Sequence, residues 1–342
     1  MPLVTLSDVV VPEIFTIYIV ENSLISTALY RSGVIGRNAV IESQIQAGAE
    51  SFTVPVWNDL DETVEPNIST DVAADLATPN GINAYSMTVR KSFVNNFWAE
   101  MSFASELAGS SALARIQSRV QAYWDIQLEY RLINSLLGCM KSNIANNASD
   151  MVVDISAATS GAPITINGTV YDAPTFNRNA VIDAASTMGD RAQDLTALAM
   201  HSSVYRTAQK NNEIEFIRDS DNNIIFATYA GLPVIQDDNL TTGVTGQYIT
   251  ILMGGGAVGF AIAPPRTGYG TELFRVPASG NGAGQTQLFN RFNVGLHPLG
   301  FSFTSASVAG PSPIKAELAL AANWNRVATQ RKSVPLAFLL TK

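Results

Sequence analysis

The sequence has a single cysteine, Cys139, and two histidines, His201 and His297. No intrachain disulfide can form, as expected of a chain that folds in a reducing compartment. A His/Cys metal cluster at ligand spacing is excluded as well, leaving carboxylates as the candidate metal ligands. Cys139 lies in the apolar run of Leu136, Leu137, Gly138 and Met140 and reads as a packed thiol. Charge is also scarce: 15% of the 342 residues are charged and 46% are hydrophobic, against roughly 25% charged in an average soluble domain. A monomer with so few charges is poorly solvated, whereas surface that copies bury against each other needs few. A homo-oligomer is therefore expected. The 21 basic residues are outnumbered by 29 acidic ones, for a net charge of −8. The Lys and Arg are scattered, so the chain is not built to grip nucleic acid through clustered cations. An acidic wall could still enclose DNA without holding it. The N-terminus lacks a basic leader region, and Asp8, Pro12 and Glu13 interrupt its apolar residues, which argues against a signal peptide. The charge-free stretch Gly243 to Pro265 contains three consecutive glycines and two prolines, so it does not read as a membrane helix.

Motifs that carry chemistry are nearly absent too. There is no Walker loop, and no Ser/His/Asp or Cys/His set in a recognisable local context. Gly254 to Gly259 (GGGAVG) matches the dinucleotide fingerprint, follows the strand-like Tyr248–Met253 and precedes Glu272. That chemistry needs a helix whose N-terminus faces the pyrophosphate. Pro264 and Pro265 stop any helix within two turns, so a chance match is expected and a dinucleotide-binding enzyme is carried only as an alternative. Asp237 and Asp238 follow the strand-like Leu232–Ile235, where a metal or a base could sit. Adjacent residues at a strand end point to opposite sides, and a turn-capping role is expected instead. No catalytic, cofactor-binding or metal-binding residue is assigned.

What is present is an ordered series of elements. Residues 1–40 read as an extended arm with one short helix at Thr16–Tyr30, ended by Gly33 and Gly36. Ser51–Asp59 and Ala84–Phe93 alternate like strands and are rich in β-branched and aromatic residues. The connection between them has loop chemistry and carries Asp59, Asp61, Glu62, Glu65, Asp71 and Asp75 with no Lys or Arg among them. An isolated two-stranded ribbon is marginal in water, so this one is expected to lie on something, and its acids suggest a basic surface on another subunit. From Ser110 to Leu137 there is neither Gly nor Pro, and Leu113, Ile116, Val120, Trp124, Leu128, Leu132, Leu136 and Met140 form one apolar stripe. The spacing predicts a strut helix capped by Ser110 or Ser111 and ending at Gly138. Beyond it, short strands and helices mix without regular alternation. Helices are predicted at Asn177–Met188 and Ser202–Lys210, and strands at Leu195–Met200, Ile224–Tyr229, Leu232–Ile235 and Tyr248–Met253. A hairpin of Thr271–Val276 with Gln287–Val294 and a terminal strand Val334–Leu340 complete an α+β reading.

The order of arm, long hairpin, strut helix and mixed body resembles the tailed-bacteriophage major capsid protein family, whose shell fold is shared with encapsulin nanocompartments and herpesvirus capsid proteins. Local stretches are similar to that family as well: Leu198-Ala-Met-His-Ser-Ser-Val-Tyr205, Tyr229-Ala-Gly-Leu-Pro-Val-Ile-Gln-Asp-Asp238, Gly295-Leu-His-Pro-Leu-Gly-Phe301 and Ala322-Asn-Trp-Asn-Arg326. The resemblance implies a non-enzymatic subunit that closes an icosahedral shell of hexamers and pentamers around double-stranded DNA, assembled in the host bacterial cytoplasm and carried in the virion. It implies an arm at 1–40 that contacts neighbours and an extended loop at 41–97 that overlaps one. A peripheral domain would span 98–170 and 285–325, with its spine helix at about 110–137, and an axial domain would span 171–284 and 326–342. The six acids of the loop would be inter-subunit contacts. Some relatives carry a helical scaffolding segment ahead of the arm; here a separate scaffolding protein is expected, together with a portal and decoration proteins. An encapsulin-like shell with protein cargo is the nearer alternative. A tail or decoration protein fits less well, because the strut helix is foreign to such β-rich proteins.

Overall fold

The computed structural model describes residue 29, residues 35–61, 63–218 and 224–342. Along the chain, strand β1 (Ile35–Arg37) leads into helix α1 (Ala39–Ile45), and β2 (Ser51–Trp57) is joined by the extended loop to β3 (Ala84–Met101). Helix α2 (Ser102–Ala108) precedes the spine helix α3 (Ala112–Asn146). Then come β4 (Val152–Asp154), β5 (Ile164–Ile166), β6 (Thr169–Tyr171), α4 (Arg178–Ser186), β7 (Leu195–Met200) and α5 (Ser202–Lys210). Strands β8 (Ile214–Arg218), β9 (Ile224–Tyr229), β10 (Leu232–Gln236), β11 (Tyr248–Gly254), β12 (Val258–Ala263) and β13 (Thr271–Val276) follow. The long β14 (Gln285–Pro298), β15 (Phe301–Phe303), α6 (Lys315–Leu318), β16 (Trp324–Arg326) and β17 (Leu336–Thr341) close the series.

Two sheets organise these elements among the described residues. One has the order β1-β12-β14-β3-β2 with β13 also beside β14. Its backbone is the antiparallel ladder of β14 on β3, from Gln285 opposite Met101 to Gly295 opposite Lys91. The other has the order β4-β17-β11-β7-β10-β9-β8. Its central strands are covered on both faces, so they read as unbroken apolar runs rather than alternating ones. Ile249, Ile251 and Met253 of β11 join one cluster with Leu132, Leu136 and Met140 of the spine helix. Leu252 turns the other way, with Leu198, Leu339 and the apolar face of α4.

The helix starts follow capping chemistry. Ser111 Oγ accepts from the backbone N–H of Ala114 at 3.1 Å, and Asn177 Oδ1 from that of Ala180 at 2.9 Å. The predicted helix over 177–188 is thus shorter, with Asn177 as its cap. The larger correction concerns the spine. It does not end near Gly138 but runs 35 residues to Asn146, about 52 Å at the usual rise. Gly138 is needed there for a close approach and not for a turn. A Cβ on it would stand 2.1 Å from the Leu318 carbonyl oxygen and 2.4 Å from Trp324 Nε1. The strand predicted at 84–93 is also longer, continuing to Met101, because β14 supplies a partner along its whole second half. Likewise the second strand of the predicted hairpin spans Gln285–Pro298, and the last strand begins after Pro335 at Leu336. The helix predicted at 16–30 lies outside the described residues except for Leu29, which is helical and buried and whose N–H donates to Glu129 Oε1 at 3.0 Å.

Candidate assembly surfaces

The extended loop leaves the first sheet at Trp57 and returns at Ala84. From 63 to 83 every residue is exposed. Its local structure comes from side chains that bond their own backbone. Asp59 Oδ1 accepts from the Leu60 N–H at 2.8 Å, and Asp61 Oδ1 from the Thr63 N–H at 3.0 Å and the Thr63 hydroxyl at 2.6 Å. These Thr63 bonds hold the Asp61 carboxyl below its usual pKa, the hydroxyl contributing most. Farther out, Asn67 Nδ2 donates to the Thr78 carbonyl at 3.0 Å and its Oδ1 accepts from the Thr78 N–H at 3.3 Å, closing the tip as a small loop. Inside it the Thr70 hydroxyl donates to Asp75 at 2.7 Å. Glu65 and Asp71 are exposed, and Glu62 lies outside the described residues. The five described acids, Asp59, Asp61, Glu65, Asp71 and Asp75, are therefore strung along one exposed strip.

The same strip carries apolar side chains that the sequence reading did not single out. Trp57, Leu60, Ile68, Val72 and Leu76 are all more than half exposed, Ile68 at 82% and Leu76 at 89%. Hydrophobic groups displayed together on a loop mark an interaction surface.

A second bare surface is the face of the first sheet turned away from the spine helix. Trp98 meets Tyr123, and Phe292 meets Trp124, on the helix side. The alternate residues Phe93, Phe97 and Phe289 must point the other way. At one end that face is covered by α1, whose Ile41 and Ile45 press on Gly259 and Gly295. Beyond α1 it is open: Phe97 stacks on Phe289 at 5.2 Å, and Phe93, Phe97 and Phe274 are each at least 40% exposed. Arg291 lies over the Phe289 ring and pairs with Glu272 at 3.2 Å.

Sites considered for chemistry resolve differently. Gly254 ends β11, a turn follows, and Gly259 lies within β12. A strand stands where a dinucleotide site requires a helix, so the enzyme alternative at Gly254–Gly259 is overturned. The glycines allow close packing: a Cβ on Gly254 would meet Pro335 at 2.7 Å and the Asp194 carbonyl at 2.8 Å. Asp237 is buried and caps a turn, its Oδ1 accepting from the N–H and Nδ2 of Asn239 at 2.8 and 2.7 Å. Asp238 is exposed, and its carboxyl is held below the usual range chiefly by Ser202. Among the described residues no three His, Cys, Asp or Glu side chains converge as a metal site, and no helix is long and apolar enough to cross a membrane. His201, the cap of α5, accepts from the Ser203 N–H at 3.0 Å. The stretches 295–301 and 322–326 meet where Phe301, the first residue of β15, stands opposite Arg326 of β16, with the His297 ring 5.8 Å from that of Trp324.

No family model matches the sequence. The chain is 33% identical to the major capsid protein of Bacillus phage SPP1 over 334 residues, which is 96% of this chain and 95% of that protein. Its fold is similar to those of solved phage and particle capsids. For the cyanophage Pam1 capsid the TM-score is 0.59 at 10% identity, covering 99% of this chain and 97% of that one. For the capsid of Ralstonia phage GP4 it is 0.54 at 12% identity, with 96% and 95% covered. For the capsid of a native GTA particle it is 0.54 at 16% identity, with 83% and 90% covered.

Proposed function

The chain belongs to the phage major capsid protein family and is a structural capsid subunit; from that premise we propose how its copies build the shell and what the shell holds. Copies join as hexamers and pentamers into an icosahedral particle that encloses double-stranded DNA, and the chain catalyses nothing. The single observation that carries this is 33% identity over nearly the whole chain to a capsid protein, joined to a capsid fold. Symmetry turns one repeated contact into a closed assembly, and many weak contacts together give high avidity. Residues 98–170 with 285–325 form the peripheral domain around the spine helix, and residues 171–284 with 326–342 the axial domain. Residues 1–40 serve as an arm toward neighbours. The loop within 41–97 crosses onto an adjacent copy, and Asp59, Asp61, Glu62, Glu65, Asp71 and Asp75 face cationic residues there. The surplus of acids suits a container that does not bind its DNA. Scaffolding comes from a separate protein, a portal fills one vertex, and decoration proteins add to the outside. Assembly takes place in the bacterial cytoplasm.

Expression alone and with the neighbouring genes, followed by negative-stain electron microscopy, tests this. Angular shells or uniform capsomers are expected, and shells formed with the phage packaging proteins should protect DNA from nuclease. A monodisperse monomer under both conditions contradicts the assembly reading. Shells that hold only protein favour the encapsulin-like alternative.

A further inference from the structure

We propose that the small cavity between the spine helix and β3 is a binding site for a single chloride ion, held by Arg131, Arg90 and Ser92. The site lies within one subunit and does not depend on how copies assemble. The cavity has a volume of about 10 Å³, room for one particle of the size of a water molecule. Val294, Leu296 and Phe303 are among its apolar walls. Its polar lining comes from Arg90, Ser92, Arg131, Ser135 and His297, with no carboxylate among them. Arg90 and Ser92 alternate along β3 and so share one face of it, the face on which Trp98 meets Tyr123 of the spine. Arg131 reaches the same spot from the spine, its Nη1 donating to Ser92 Oγ at 3.1 Å.

The charges around the cavity do not balance. Glu50 pairs with Arg90 Nη2 at 2.7 Å. Arg131 has no carboxylate partner among the described residues. Its Nη1 donates to Ser92 and, at 3.2 Å, to the Pro313 carbonyl. Burial draws the pKa of its guanidinium down, with no acidic neighbour acting against that. His297 is neutral at pH 7, its pKa lowered by burial to about 4, and adds no charge. Two guanidinium groups therefore face one carboxylate, and a cation withdrawn from water is costly unless it is compensated.

Hydrogen-bond donors are left over as well. Arg90 is 12% exposed, yet its Nε–H is buried without a partner. Nε and Nη2 of Arg131 have none among the described residues, and Ser92 Oγ accepts from Arg131 without donating in turn. The Ser135 hydroxyl, by contrast, is spent on the Arg131 carbonyl at 2.8 Å. A water in the cavity would accept from some of these donors but leave the positive charge unanswered. A halide accepts from several N–H and O–H groups at once and supplies the missing charge. Phosphate, sulfate and carboxylates are too large for a space that holds one water-sized particle. The same two arginines hold the segment leading into α6, Arg90 through the Pro311 carbonyl at 2.9 Å and Arg131 through that of Pro313. The ion thus ties the spine to β3 and to this segment, and its binding stabilises the folded subunit by mass action.

Urea unfolding of the unassembled subunit tests the site, with chloride exchanged for gluconate at constant ionic strength so that screening does not change. Raising chloride from about 10 to about 300 mM should increase the ratio of folded to unfolded protein by about tenfold. Arg131→Gln should remove that dependence. Ser92→Ala, a smaller change, should weaken it while the subunit still folds. Crystals of the wild-type chain grown in bromide should show one anomalous peak within hydrogen-bonding reach of Arg131 and Ser92. Equal stability in chloride and gluconate overturns the proposal, as does a bromide-grown crystal with no peak in the cavity. A chloride dependence of the same size in the wild type and in Ser92→Ala also overturns it, because the ion then acts elsewhere. None of these outcomes bears on whether the chain forms shells, which the microscopy above decides.

Discussion

Replacing Gly138 by alanine sets two effects of known size against each other. In an ordinary helix interior the change stabilises by about 1 kcal/mol, because alanine loses less backbone entropy. Here the new methyl would lie 2.1 Å from the Leu318 carbonyl oxygen, 2.4 Å from Trp324 Nε1 and 2.6 Å from Trp324 Cδ1. These atoms are not a flexible side-chain end. The indole N–H donates to that same carbonyl at 2.8 Å, and Trp324 is 2% exposed. Relief requires the 318–324 segment to lift off the spine. Such overpacking costs about 1–3 kcal/mol, and breaking the buried hydrogen bond adds about 1 kcal/mol. The clash wins, and Gly138→Ala should destabilise by about 1–3 kcal/mol net. Urea unfolding of the unassembled subunit measures it as a lower midpoint at unchanged slope. A midpoint equal to or above that of the wild type would refute the reasoning and return Gly138 to the status of an ordinary helix residue.

Three further outcomes are expected. Trp124 is 6% exposed and packs edge-on against Phe292 at 5.2 Å; Trp124→Ala should cost about 3–5 kcal/mol, and a variant as heat-stable as wild type would show that the site collapses without loss. Burial brings the pKa of His297 down from 6.5 to about 4, against a smaller opposing effect of the Phe301 carbonyl. The unfolded chain therefore takes up this proton first as pH falls. The neutral ring's contribution is intact above pH 6.5 and is lost on the way down to about 4, to the extent of about 3 kcal/mol. His297→Gln should flatten that part of the stability profile between pH 7 and 4.5, and an equal decline in both proteins would contradict the assignment. Changing Asp59, Asp61, Glu65, Asp71 and Asp75 to Asn or Gln should slow assembly more at low salt than at high, as followed by light scattering; rates unchanged across that range would remove the acids from the contact.

Much of the fold was legible in the sequence, and the misses share a cause. The apolar stripe from Leu113 to Met140 announced the spine because its period depends on the chain alone. Its true end did not show, since Gly138 is tolerated only through Trp324 and Leu318, nearly two hundred residues away. The far half of β3 was hidden for the same reason, its partner being β14. Turn chemistry, by contrast, is local: Ala230 and Gly231 take φ of 50° and 82° between β9 and β10, where the sequence had placed a glycine between two strands. At the assembly surfaces the acids were visible from charge alone. The exposure of Ile68 and Leu76, and of Phe93 and Phe97, was not, because an apolar residue in a strand or loop looks the same in sequence whether it is covered or bare. Arg131, which reaches from the spine to Ser92 and to the Pro313 carbonyl, was likewise invisible until the helix and sheet were placed together.

The most direct test of the central claim is a cryo-electron microscopy reconstruction of the particles this chain forms. Residues 58–83 of each copy should lie on an adjacent copy. A closed shell in which the loop projects into solvent, or a chain that never leaves the monomeric state, would contradict the account.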